Sequence, residues 1–510
     1  MPMGKTGKVY LIGAGPGDPG LITVRGKELL CSCDAVLYDN LVCPEFIINI
    51  PEETEKYYVG KKAGDHPVPQ EKINELLLKL AREGKSVARL KGSDPLIFGR
   101  GGEEAKYLKE HGVEFEIITG VTSGIAGPAY AGIPCTDRER ASSVLFLTGH
   151  KSSDKLKSTV PWDWVAKIKN GTVVIYMGVN EISNITEQLI ENGMNPDMSA
   201  AIIERGTFPS QRVFTATLKD LPGIVKNENV KPPALFVLGG VVDLQPYLKW
   251  FTGRPLPGLR VMVTRASVQA GDLYRRLREL GAEPLPYPTI ATRAVDDEKG
   301  WADFSYIQND DKWLIFTSEN GVRYFMDKFT EKFDDIRTLA GFKIAAIGEG
   351  TSGLLKEYRL PIDFMPSIAT VNILVDEMPK AIDLNDTTVV RVRGNLADEL
   401  IEKAFPGLGA EVLPLTTYET YYPTWPDGLK EKLLEYPPDA ILFTSGSTMK
   451  GLYHNLSKEE ADDIIQNAKV FSIGPKASKV LESDGVSVTR EAKVQNIDGL
   501  LDELLDYYSE

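Results

Sequence analysis

The second half of this chain repeats itself after about 127 residues, and that constrains its architecture more than any other feature. Three blocks recur in order. Val261-Met-Val-Thr-Arg265 with Gly281-Ala-Glu-Pro-Leu-Pro286 matches Val389-Val-Arg-Val-Arg393 with Gly409-Ala-Glu-Val-Leu-Pro414. Leu314-Ile-Phe-Thr-Ser318 matches Leu442-Phe-Thr-Ser445, and Ala346-Ile-Gly348 matches Ser472-Ile-Gly474. Each copy reads as a small strand-helix-strand unit, too long for a solenoid, and two such units facing one another make a bilobed domain with a hinge. The Thr-Ser pairs end a strand and precede helical stretches, Gly321 to Phe329 and Met449 to His454. There a serine can cap the helix, and the free N–H groups can hold a carboxylate.

The first half is built on two strand-to-glycine turns. Lys8 to Gly20 runs an apolar strand into Gly13-Ala-Gly-Pro-Gly-Asp18, and Lys91-Gly-Ser-Asp-Pro-Leu-Ile-Phe-Gly-Arg-Gly-Gly-Glu-Glu104 follows a second strand. Gly13-x-Gly15 fits the start of a dinucleotide fingerprint. The third glycine fails, because Asp18 holds its place, Pro16 stiffens the turn, and an acid beside the loop opposes a pyrophosphate. The turns read as a pocket for a cationic or neutral nucleoside, with a plain tight turn as the alternative. Strand-like Ala35 to Tyr38, Ser86 to Leu90, Phe115 to Ile118 and Val144 to Leu147 alternate with helical Gln70 to Glu83 and Glu103 to His111, which predicts a parallel α/β sheet. Thr172 to Met177, Ser199 to Ile203 and Ala234 to Leu238 read as strands of a second lobe. Phe251-Thr-Gly-Arg-Pro-Leu-Pro-Gly258 is a connector rich in proline and glycine.

A length of 510 residues allows two to four domains, and a net charge of -14 argues against nucleic acid as a partner. Local basic pairs, Lys61-Lys62, Arg89 with Lys91, and Arg138 with Arg140, lie where a polyanionic substrate can be met. No apolar run reaches the roughly 18 residues of a membrane span, and a strand beginning by Val9 leaves no room for a signal peptide, so a cytoplasmic location is expected. The four cysteines (31, 33, 43, 135) and four scattered histidines (66, 111, 150, 454) predict free thiols and no metal.

The glycine turns, together with Tyr38-Asp-Asn-Leu-Val42, Val59-Gly-Lys-Lys-Ala-Gly64, Arg89-Leu-Lys91 and Tyr176-Met-Gly178, resemble uroporphyrinogen-III C-methyltransferases over about residues 8 to 250. The departure is Ser93, where that family usually has glycine. Residues 259 to 510 are similar to uroporphyrinogen-III synthases on Val263-Thr-Arg265, Phe316-Thr-Ser-Glu-Asn-Gly321, Phe443-Thr-Ser445 and Ile473-Gly-Pro475. The implied fold class is α/β, a two-lobed tetrapyrrole methylase fold followed by a synthase-like fold of two α/β lobes. Implied boundaries are a methyltransferase over 1–250 (lobes about 1–120 and 140–250), a linker over 251–258, and a synthase over 259–510. Lobe one of the synthase takes about 259–291 plus 421–510, and lobe two about 292–420.

The resemblance implies that the C-terminal half cyclises hydroxymethylbilane to uroporphyrinogen III and that the N-terminal half methylates it twice with S-adenosylmethionine, giving precorrin-2. Carried over by motif, the cofactor pocket falls on Pro16, Gly92, Ser93, Asp94, Ile97, Thr122, Ser123, Met177 and Gly206. The family's proton acceptor falls on Asp39 and its proton donor on Lys61. A surface ion pair is the plain alternative for both, and Lys61 can equally bind substrate carboxylates. Tyr418 stands where the synthase family's favoured proton donor lies, with core packing as the alternative. Thr317, Ser318, Ser445 and Gly474 are expected carboxylate contacts. The resemblance also implies a homodimer through the N-terminal half, and tethering of consecutive steps raises the local concentration of the intermediate. Two rival expectations are a nicotinamide dehydrogenase and, for the C-terminal half, a hinge-type ligand-binding module without catalysis.

Overall fold

The computed structural model describes residues 6–60, 68–149, 160–251 and 253–509. The chain divides into two units, Met1–Thr289 with Thr424–Glu510, and Ile290–Pro423.

The larger unit holds three five-stranded sheets. In the first, all strands are parallel in the order Glu55–Tyr58, Ala35–Tyr38, Val87–Lys91, Lys8–Gly13, Glu114–Ile118. Ala35–Tyr38 and Val87–Lys91 are buried at every position, the pattern of parallel strands covered on both faces. Helix Gln70–Arg82 covers one face with Ile73, Leu77 and Ala81, a row at helical spacing. The second sheet is mixed. Ser143–Thr148 and Gly171–Tyr176 pair in parallel, and Ala234–Leu238, Ser199–Glu204 and Arg212–Thr217 continue antiparallel. The Val144 to Leu147 run therefore opens this second sheet instead of extending the first. Helix Ser123–Ala131 packs on the second sheet.

The third sheet is parallel throughout, in the order Glu283–Pro286, Arg260–Val263, Ala440–Phe443, Lys469–Ser472, Arg490–Glu491. In the smaller unit one sheet runs Ala291–Ala294, Glu411–Tyr421, Thr388–Gly394, Lys312–Phe316, Phe342–Ala346, antiparallel only at its first pair.

The sequence repeat is real in the fold, but its two copies do not each form a self-contained unit. Arg260–Val263 and Glu283–Pro286 of the first copy share a sheet with Ala440–Phe443 and Lys469–Ser472 of the second. Lys312–Phe316 and Phe342–Ala346 of the first copy share the other with Thr388–Gly394 and Glu411–Tyr421. Equivalent strands hold equivalent places. Two prolines close the outer edge of the third sheet. The Glu283 and Tyr287 N–H groups donate inward to Leu259 and Val263, so Pro284 and Pro286 face the outer edge, where they have no N–H to offer a further strand.

The connector is pinned rather than free. Trp250 Nε1 donates to the Ala129 carbonyl at 3.0 Å, and the rings of Trp250 and Phe251 pack on Tyr130. On its other side, Leu256 N and Gly258 N donate to the carbonyls of Leu280 and Gly281 at 2.9 Å each, and Leu256 is buried. Among the described residues no helix is long and apolar enough to cross a membrane, and all four thiols are free.

Candidate active sites

Backbone contacts draw the two glycine turns together. Ser93 N donates to the Gly15 carbonyl at 2.7 Å, and Gly15 N donates back to the Ser93 carbonyl at 3.3 Å. A Cβ on Gly120 would lie 2.3 Å from the Ser93 carbonyl oxygen, and one on Gly13 would lie 2.5 Å from Gly120 N. Only glycine permits this approach. Ser93 holds a φ of +63°, which explains why glycine is the easier residue there, and its hydroxyl accepts from Ser123 N at 3.2 Å. The buried Asp94 carboxylate is consumed locally by the N–H groups of Leu96, Ile97 and Gly120 at 2.8, 3.2 and 3.0 Å.

The remaining pocket residues join through their neighbours. Thr122 Oγ1 lies 2.7 Å from the Tyr176 hydroxyl, which also accepts from Gly124 N at 2.8 Å. Met177, next in the chain, sits at φ +54° and is 52% exposed. Ile97 packs against the cluster that holds Tyr176. A Cβ on Gly92 would lie 2.7 Å from Leu41 Cβ, and one on Gly206 would lie 3.1 Å from Gly127 Cα. The Thr207 hydroxyl accepts from Asp18 N at 3.1 Å, which ties the Gly206 loop to the first turn beside Pro16. Asp18 itself is a turn residue, its carboxylate accepting from Gly20 N and from the Tyr130 hydroxyl at 2.8 Å each. Together these residues present main-chain groups, hydroxyls and an exposed thioether. Among these described residues, that donor set includes no side-chain cation.

Asp39 follows strand Ala35–Tyr38 directly and is no exposed ion pair. Its Oδ2 accepts from the Arg89 guanidinium at 3.1 Å, its Oδ1 accepts from Leu41 N at 3.1 Å, and the Arg89 side chain is 4% exposed. Behind Arg89 stands Glu104, fully buried, which accepts from Arg89 Nε at 3.2 Å, from Lys91 Nζ at 2.9 and 3.1 Å and from Gln70 Nε2 at 3.1 Å. Burial, and next the adjacent Arg89 charge, hold the Lys91 ammonium below its ordinary range. The sequence reading placed Arg89 and Lys91 where a polyanionic substrate can be met, but both are buried, and it missed Glu104 as their shared partner. Their spacing on one strand, two residues apart, was the available signal, since it puts both on one face. Lys61 lies outside the described residues.

In the smaller unit, Tyr418 Oη lies 3.0 Å from Ser318 Oγ, and the Tyr418 ring stacks on Tyr324 at 5.6 Å. Ser318 caps helix Glu319–Lys332 by accepting from Gly321 N at 3.0 Å, and Thr317 precedes it, partly buried. Gly394 leaves room for the phenol, because a Cβ there would lie 2.6 Å from the Tyr418 ring. Ser445 and Gly474 belong to the larger unit, at the C-terminal ends of the adjacent parallel strands Ala440–Phe443 and Lys469–Ser472. Ser445 does not cap the helix after it. That helix, Thr448–Asn455, starts two residues later than a cap at Ser445 requires, and the Ser445 hydroxyl pairs instead with Ser447 Oγ at 2.9 Å. Gly474 stands at the start of helix Pro475–Ser483.

Residues 8–222 match the family described as Tetrapyrrole (Corrin/Porphyrin) Methylases, and residues 271–502 match Uroporphyrinogen-III synthase HemD. Porphyrin biosynthesis protein HemD of Ruminiclostridium josui is 37% identical over 503 residues, covering 98% of each chain. The S-adenosyl-L-methionine-dependent uroporphyrinogen III methyltransferase of Methanosarcina barkeri is 47% identical over 245 residues, 48% of this chain and 96% of that protein. Siroheme synthases are matched over about half of their length. Among solved structures, Thermus thermophilus uroporphyrin-III C-methyl transferase complexed with S-adenyl homocysteine is 36% identical over 49% of this chain and 97% of that chain, with a TM-score of 0.41.

Proposed function

The chain belongs to the porphyrin-biosynthesis HemD family in a form that carries a tetrapyrrole methylase ahead of a uroporphyrinogen-III synthase, and from that premise we propose that it performs two consecutive steps. The synthase half closes hydroxymethylbilane, with loss of water and inversion of the last ring, to uroporphyrinogen III. The methylase half methylates that product twice to precorrin-2. The observation that carries the reading is the Gly15–Ser93 closure, which joins two side-chain-poor turns of the methylase motif.

S-adenosylmethionine, when bound, supplies an electrophilic methyl on a sulfonium. Main-chain groups around Pro16, Gly92, Ser93, Ile97 and Gly206, the hydroxyls of Thr122 and Ser123, and the Met177 thioether hold it, while Asp94 fixes the loop that presents them. Alignment of a pyrrole carbon is the larger part of the work, and proton management is the smaller. Asp39 accepts the proton at Oδ2, which Arg89 orients, and Lys61 serves as its donor counterpart or as a carboxylate contact. In the synthase half, the Tyr418 hydroxyl gives a proton to the departing hydroxyl of the bilane, and Thr317 and Ser318 beside it contact a substrate carboxylate.

The same reading takes the methylase half as residues 1–250, joined by 251–258 to a synthase whose lobes exchange the chain near 291 and 421. It also takes the protein as a homodimer, checked by light scattering, and as cytoplasmic, in keeping with its free thiols. Incubating the pure chain with hydroxymethylbilane and methyl-labelled S-adenosylmethionine tests the whole. Doubly labelled precorrin-2 is expected, and unlabelled uroporphyrinogen III alone would refute the methylase half.

A further inference from the structure

We propose that the synthase half supplies a positioning residue, Glu283, to the methylase cofactor loop; this rests on the reading of Gly206 as a cofactor contact. The loop around Gly206 does not stand on its own half alone. Arg205, immediately before Gly206, holds a φ of +50° and sends its guanidinium across to strand Glu283–Pro286. Its NH2 group donates to Glu283 Oε1 at 2.8 Å, and its Nε donates to Ser210 Oγ at 2.9 Å. Ser210 in turn donates to Glu283 Oε2 at 2.5 Å, so both carboxylate oxygens grip the loop. The guanidinium is sandwiched between the rings of Phe208 and Tyr436, 4.6 Å from each centroid, and Tyr436 also comes from the synthase half.

The pair is nearly dry. The Arg205 side chain is 14% exposed and that of Glu283 is 9% exposed. Removing one partner of such a pair leaves a buried charge without compensation, so the loop cannot leave Glu283 without a large penalty. The constraint reaches the glycine turn as well, through Thr207 and its bond from Asp18 N. A second ion pair between the halves, Arg278 with Glu45 at 2.5 Å, bonds to neither Arg205 nor Glu283 and serves as a control. Glu283 therefore acts through Arg205, and its effect falls on cofactor affinity rather than on the methyl-transfer step.

The test uses the full chain, with S-adenosylhomocysteine as the calorimetric probe. Glu283→Ala is expected to raise Kd about tenfold or more, and Glu283→Gln, which keeps the hydrogen-bonding shape, is expected to lose less. KM for S-adenosylmethionine rises in parallel while kcat at saturation stays within about twofold, a split that general unfolding does not produce. Arg278→Gln is expected to leave Kd within about twofold. Unchanged affinity in Glu283→Ala, or an equal loss in Arg278→Gln, overturns the inference. A wild-type chain that takes up no S-adenosylhomocysteine overturns the underlying reading instead.

Discussion

The phenol oxygen of Tyr418 lies 3.0 Å from the hydroxyl of Ser318, and that same hydroxyl accepts the Gly321 N–H at the start of helix Glu319–Lys332. One serine thus fixes a helix end and a tyrosine on the neighbouring strand Glu411–Tyr421.

This double use separates two variants. Ser318→Ala loses the cap, at a cost of about 1 kcal/mol, and frees the phenol. Tyr418→Phe keeps the cap and the stacked ring. Tyr418→Phe is expected to leave the urea midpoint nearly unchanged while slowing bilane cyclisation at least tenfold. A cyclisation rate equal to wild type would show that Tyr418 only packs.

Glu104 is the sole carboxylate hydrogen-bonded to both Arg89 and Lys91 among the described residues. Glu104→Gln leaves two buried cations facing Asp39 alone, which is expected to cost about 3–5 kcal/mol in urea unfolding. Adding Lys91→Met removes one of those cations and should restore part of the loss. A double variant no more stable than the single one would argue against this electrostatic account.

Glycine at position 120 is a steric requirement, and the glycine at 102 is not. Gly120→Ala forces a methyl to within 2.3 Å of a carbonyl oxygen, so the turns must part, at about 1–3 kcal/mol and with loss of S-adenosylhomocysteine binding by calorimetry. Gly102→Ala, in the helix Gly101–Glu110 with nothing within 4 Å, is expected to stabilise by up to about 1 kcal/mol and to bind normally. Bilane cyclisation should stay within about twofold of wild type in both.

Burial, followed by the charge of Asp34, raises the Cys33 thiol from 9.0 to about 12, against a hydrogen bond with Ser86 that works the other way. Below pH 9 the thiol is protonated in both folded and unfolded chains, and its contribution is complete. Between pH 9 and 12 the unfolded chain releases a proton that the folded chain keeps, so stability falls. The stability advantage of wild type over Cys33→Ala is therefore expected to narrow from pH 8 to pH 10.5. Alkylation followed by mass spectrometry at pH 8 should label the exposed Cys31 well before Cys33.

Local chemistry made much of this protein legible in the sequence. Glycine turns after apolar strands marked a close main-chain approach, because that approach needs residues without a Cβ, and the strand-like runs at 35–38 and 86–90 marked buried parallel strands. The recurring blocks marked eight of the ten strands described in the second half and which of them are equivalent, leaving out Ala291–Ala294 and Arg490–Glu491. Three things were decided only by tertiary structure. Which copy of the repeat pairs with which is decided by long-range strand pairing, Arg260–Val263 with Ala440–Phe443 and Lys312–Phe316 with Thr388–Gly394. Glu104 gathers Arg89 and Lys91, and Glu283 grips Arg205, across 78 residues in the second case, because desolvated charges must find partners that sequence spacing does not reveal. The connector, which composition marks as a flexible tether, is held by the packing of Trp250, Phe251 and Leu256, since apolar side chains are buried wherever the surrounding fold gives them a surface.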